Sequence, residues 1–170
     1  MGPDIISLID HGHQNPSSPM TVDPKHIKRR IYYYRLLRFL NLLRLYDVFK
    51  FFVGHEKSKT ITKEKCLEYK YNVQLHGSCL IFSPVFVENE DKAFCPETFL
   101  YTEEPILYQY CMHKGYLTLY CPDLLVEHKE DSSTNATYKA NCDKREFVFK
   151  NLIYSHNVYY RKLKEFKKDN

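Results

Sequence analysis

The period of hydrophobic and polar positions changes several times along this chain, and each change marks a predicted element. Ile5, Ile6, Leu8 and Ile9 make Asp4 to Asp10 a short buried strand, followed by a Gly, Asn, Pro and Ser loop from His11 to Pro19. Asp23-Pro24 then supplies an N-cap and a proline at the first helical position, and residues 24–53 contain no further Pro or Gly. A helix or helix pair is predicted there, either packed on the domain or lying on an anionic membrane. Tyr32, Leu36, Phe39, Leu43 and Tyr46 recur on one stripe of it, with Leu42, Phe49 and Val53 extending that stripe. A polar linker spans 54–65, and Leu67 to Val73 alternates as a half-exposed strand does. Gly77-Ser78-Cys79-Leu80-Ile81-Phe82-Ser83 has a continuous apolar centre, predicting a strand buried on both faces. Glu88 to Asp91 reads as a solvated turn. A helix begins at Pro105, with Glu104 as N-cap and Gly115 as terminator, and a strand interrupted by Pro122 covers Tyr116 to Val126. Asp143 to Lys168 is a final basic helix.

Charge distribution refines this mixed α/β picture. The net charge is +4 over 170 residues, yet Lys25 to Lys50 holds eight Lys or Arg against the single acid Asp47. Lys144 to Lys168 holds another eight bases, and acids concentrate between Glu88 and Asp131. An acidic centre flanked by basic segments suits phosphates or anionic lipid. The six cysteines form no C-x-x-C pair, so free thiols in a reducing cytosol are expected rather than a zinc site or disulfides. The start Met-Gly-Pro-Asp lacks the basic and apolar regions of a signal peptide and no apolar run of about 18 residues occurs, so neither a secretory route nor a membrane span is expected. The sequon at Asn135 is therefore read as unused.

Three places carry candidate chemistry. The first is Glu103-Glu104, two carboxylates at a helix start. Backbone N–H groups and the positive helix end favour an ionised Glu104 while Glu103 opposes it, so a general base and a simple helix cap are both open. The second is Gly77-Ser78-Cys79, small residues that let a ligand approach. The third is His128, at the exit of a buried strand. His11-Gly12-His13 is read as a solvent-facing pair lacking a third metal ligand.

Taken in order, Gly77 to Ser83, Phe99-Leu100-Tyr101-Thr102-Glu103-Glu104, Gly115-Tyr116 and Val126-Glu127-His128 resemble the C-terminal half of family 2 glycosyltransferases. These GT-A type enzymes include the bacterial rhamnosyl- and galactosyltransferases of surface polysaccharide synthesis. The resemblance covers about Gly77 to Lys129, and Gly2-Pro3-Asp4-Ile5 with Gln14-Asn15-Pro16 resembles the segment before it. It implies an α/β fold, the C-terminal part of a GT-A (Rossmann-like) mixed-sheet domain with flanking basic helices. Residues 1–142 would form the acceptor-side part, including a basic helical insertion at 24–53, and 143–170 a C-terminal helix. Glu104 inherits the role of the base that deprotonates the acceptor hydroxyl, and Glu103 supports it, although the family pair is commonly Glu-Asp. Gly77, Ser78 and Cys79 would line the substrate site. His128 matches a histidine that joins the diphosphate-bound Mg²⁺ or Mn²⁺.

The family's nucleotide-binding half and its Asp-x-Asp are missing, so the chain reads as a piece that is inactive alone. The expected partners are a nucleotide-sugar donor and a saccharide or lipid-linked acceptor, with inverting transfer and no nucleic acid. The expected location is the cytoplasm, with peripheral contact to an anionic plasma membrane. A catalytically inactive remnant and a basic membrane-binding module are the alternative readings.

Overall fold

A computed structural model describes residues 1–53, 64–129 and 141–168. Most of the linker predicted at 54–65, and the Asn135 sequon, lie outside these residues. The described chain is a mixed α/β structure with a three-stranded sheet and five helices. In chain order these are β1 (Gly2–Ser7), α1 (Pro24–Leu42), α2 (Tyr46–Val53), β2 (Lys70–Tyr71), α3 (Pro84–Asn89), α4 (Glu103–Lys114), β3 (Leu119–His128) and α5 (Asn141–Lys168).

β3 is the central strand, parallel to β1 and antiparallel to β2. Its pairing with β1 jumps from Pro3 opposite Cys121 to Asp4 opposite Leu125. Pro122, which has no N–H to give a ladder, falls in that bulge, so the strand predicted to break at Pro122 instead kinks and continues to His128. β1 stops at Ser7, earlier than predicted. The Ser7 hydroxyl accepts the N–H groups of Ile9 and Asp10, and Asp10 accepts that of Gly12, turning the chain back so that Gln14 N–H reaches Ile5 O at 2.8 Å.

Of the helix or helix pair expected over 24–53, the structure has the pair. Asp23 caps α1 as anticipated, accepting from Lys25 N–H at 2.9 Å. No glycine or proline announces the break; Arg44 takes a left-handed φ of 59° and Leu45 N–H bonds Leu40 O. Tertiary contacts hold that turn. Buried Asn41 donates to Cys142 O and accepts from Arg145 Nε, while both terminal nitrogens of Arg145 clamp Asp47 at 3.0 and 3.1 Å. The core forms where α1, α4 and α5 meet, from Ile27, Ile31, Ile106, Val158, Tyr159 and Leu163.

Two predicted strands shrink. Only Lys70–Tyr71 of the stretch 67–73 pairs. Gly77 to Ser83 is not a strand: it meets the sheet region at one point, where Ile81 N–H bonds Met1 O at 2.8 Å, and Ile81 itself is exposed. The Met1 ammonium bonds back to Ile81 O at 2.7 Å, but this one residue pair does not propagate a ladder, and Ser83-Pro84 immediately starts α3, the Ser83 hydroxyl capping Phe86 N–H. Glu88 and Asn89 complete that short helix. Glu90, expected in a solvated turn, instead accepts from Tyr110 and Tyr116 at 2.5 and 3.0 Å.

Candidate functional site

α4 begins one residue before Glu104, which is therefore not the cap. Thr102 is the N-cap residue, with Glu103, Glu104 and Pro105 forming the first turn. Thr102 is fully buried and donates its hydroxyl to Ser155 O at 3.1 Å, while Ser155 donates back to Leu100 O at 2.6 Å. These bonds tie the head of α4 to α5, and that anchoring fixes where the two carboxylates point.

They point differently. Glu104 lines a cavity of about 570 Å³ bounded mainly by apolar and aromatic side chains, among them Leu75, Phe82, Phe86, Tyr108, Tyr116 and Leu119. Among the described residues lining it, Glu104 has the one formally charged side chain. Its Oε1 accepts the Gly77 N–H at 3.2 Å. A Cβ on Gly77 would lie 2.8 Å from that oxygen, so a side chain there would displace the carboxylate. Glu103 lies off the cavity wall, with Oε1 buried and without a hydrogen-bond partner. Burial, reinforced by the charge of Glu104, pushes the Glu103 carboxyl above its ordinary range.

On the other side of the same short turn is an imidazole pair. His76 directly precedes Gly77, and its ring centroid is 5.4 Å from that of His128 at the end of β3. His128 Nδ1 lies 3.0 Å from Gln14 Oε1, a contact that orients the ring. His76 Nδ1 accepts the Ser78 N–H at 3.2 Å and lies 3.0 Å from its hydroxyl. Asn15 fixes the turn, donating to Pro3 O at 2.8 Å and accepting the His76 N–H at 2.7 Å. Glu104 and His128 thus flank the dipeptide His76-Gly77, one touching each residue.

Of the other candidates, Ser78 serves His76 rather than the cavity, and Cys79 is a half-buried free thiol that does not line it. His13 is not solvent-facing as expected; its Nδ1 is 2.7 Å from the fully buried Asp4 carboxylate, which Lys65 approaches at 3.8 Å. Among the described residues no three His, Cys, Asp or Glu side chains gather as a metal site. Among the described residues His128 is a candidate metal ligand without a complete set around it. His76, Gln14 and Asn15 were missed as site residues. A histidine beside the approach glycine and the Gln14-Asn15 pair were the available signals.

No protein-family profile, curated protein or solved structure matches the chain.

Proposed function

We propose that this chain is the acceptor-side part of a GT-A type, family 2 inverting glycosyltransferase that builds a cell-surface polysaccharide. The observation that carries the reading is Glu104: one carboxylate on the wall of an otherwise apolar and aromatic cavity, held against a glycine N–H, with His128 across the same turn. The order of those residues is also what gives the chain its family resemblance.

The cavity's tyrosine and phenylalanine rings offer flat apolar faces for a sugar ring, leaving its hydroxyls to seek polar atoms. Glu104 is the acid-base group within reach. It accepts the proton of the acceptor hydroxyl as that oxygen attacks the donor's anomeric carbon and the nucleoside diphosphate leaves. The Gly77 N–H orients the carboxylate, and the absence of a Cβ keeps the approach open. Glu103 lies beside it, off the cavity wall, where burial holds its carboxyl above the ordinary range. A Mg²⁺ or Mn²⁺ ion, when bound, neutralises charge on the departing diphosphate, and His128 would be this chain's ligand to it. The three-stranded sheet would then extend the mixed sheet of a nucleotide-binding half supplied from outside the chain.

Titration with methyl glycosides of glucose, galactose, rhamnose and N-acetylglucosamine, followed by amide NMR, tests the acceptor role. The reading expects at least one glycoside to shift the Gly77, Phe82, Glu104 and Tyr108 amides together. Shifts confined to other surfaces, or none at millimolar sugar, would count against it.

A further inference from the structure

One apolar stripe of α1 faces away from the core. At about 100° per residue, Ile27, Ile31, Leu37 and Asn41 gather on one side of the helix, and all are buried against the rest of the protein. Tyr32, Leu36, Phe39 and Leu43 gather on the opposite side and are exposed, Tyr32 by 64% and Phe39 by 57%. Lys25 and Arg29 stand on that outer stripe toward the N-terminus, and Lys28 and Arg35 border it; all four are exposed. The apolar run continues along the chain through Leu45 and Val48 to Phe51 and Phe52, which are 82% and 80% exposed with their rings edge to face at 5.7 Å.

We propose that this outer face of α1 and α2 is a docking surface for an anionic lipid bilayer. Apolar and aromatic side chains bordered by long basic ones have the chemistry of an interfacial helix: rings enter the headgroup boundary while Lys and Arg reach up to phosphates. Charge selects this occupant over a second copy of the chain. Lys25, Lys28, Arg29 and Arg35 supply the bases of this face, Arg38 being paired with Glu146, and the one acid between Lys25 and Lys50, Asp47, is already clamped by Arg145. A two-fold dimer through this face would oppose like charges. No described helix is long and apolar enough to cross a membrane, so the contact is peripheral. An acceptor carried on a lipid would be presented at such a surface, although the docking stands independently of the transfer reaction.

Co-sedimentation with vesicles tests it, using phosphatidylcholine alone and phosphatidylcholine with about a third phosphatidylglycerol. The chain is expected to bind the anionic vesicles at least tenfold better, and to lose that preference as salt rises well above ~0.15 M. Phe51→Ser with Phe52→Ser should lower the partition coefficient by about tenfold or more, with helicity and unfolding temperature unchanged because both rings are exposed. Equal binding to both vesicle types, or no binding to anionic vesicles at low salt, overturns the proposal. So does a concentration-dependent dimer that the double substitution dissolves.

Discussion

Replacing Gly77 with alanine perturbs the Glu104 contact with almost nothing else in play. The three atoms nearest the new Cβ all belong to Glu104: Oε1 at 2.8 Å, Cγ at 3.0 Å and Cδ at 3.2 Å. Ordinary contact requires the carboxylate to retreat by roughly half an ångström, which breaks or lengthens the 3.2 Å bond from Gly77 N–H. Loss of that bond costs about 1 kcal/mol, and an off-rotamer Glu104 adds about 0.5 to 1.5 kcal/mol. Gly77 has no positive φ, so alanine itself is unstrained and recovers about 0.4 to 1 kcal/mol by restricting the unfolded chain. The net expectation for Gly77→Ala is about 1 kcal/mol of destabilisation, lowering Tm by about 2 to 4 °C. In a Glu104→Ala background the clash and the bond are both gone. There the same substitution should raise stability by about 0.4 to 1 kcal/mol. Thermal unfolding of the wild type, both single variants and the double variant reads this reversal of sign directly. An equal cost in both backgrounds would refute the contact as the reason for the glycine.

Glu103→Gln should stabilise the protein near neutral pH, because it removes an ionised carboxylate with a buried, unpartnered oxygen. The raised folded-state pKa sets the sign: ionised Glu103 is a liability at pH above that value, and the liability fades as the pH falls toward the ordinary 4.5. Allowing for solvent screening of this half-exposed group, the gain is of order 0.5 kcal/mol at pH 7, and denaturant unfolding at pH 7 and 4 should show it shrink. A gain unchanged at pH 4 would point to another cause. Ile27→Ala, at a fully buried core position between α1 and its neighbours, should cost about 2 to 5 kcal/mol. A loss below about 1 kcal/mol by urea unfolding would mean that α1 is not seated as described.

Local chemistry made some of this fold legible. Asp23-Pro24 located the start of α1, Gly115 the end of α4 with a φ of 76°, and the periodicity near Asp143 the last helix, which begins at Asn141. What the sequence concealed is tertiary in origin. The bend at Arg44 is held by Asn41, Arg145 and Asp47, residues about a hundred positions apart, so no local signal marked it. The outer stripe of α1 suited a packed face and a membrane-facing one alike, because periodicity reveals a face without saying what covers it. Gly77 to Ser83 had strand composition but lacks a neighbour to pair with along its length. At the candidate site, helix-start chemistry placed the cap at Glu104, two residues past the observed cap Thr102, and so put both carboxylates at the helix start. Their division into a cavity-lining carboxylate and a buried one depends on Thr102 and Ser155 and was not readable. The turn at His76 likewise depends on Asn15, which lies across the β1 loop.

The central claim is that Glu104 removes a proton from a sugar hydroxyl. The most direct measurement replaces Glu104 with Gln in the cell that makes this protein, and follows transfer of labelled sugar from nucleotide-sugar donors into surface polysaccharide in its extracts. Any nucleotide-binding half the reaction needs is then present. With protein level and unfolding temperature matched to wild type, transfer should fall by about 10² to 10⁴-fold, the usual contribution of a general base. Unchanged transfer and an unaltered polysaccharide would contradict the account.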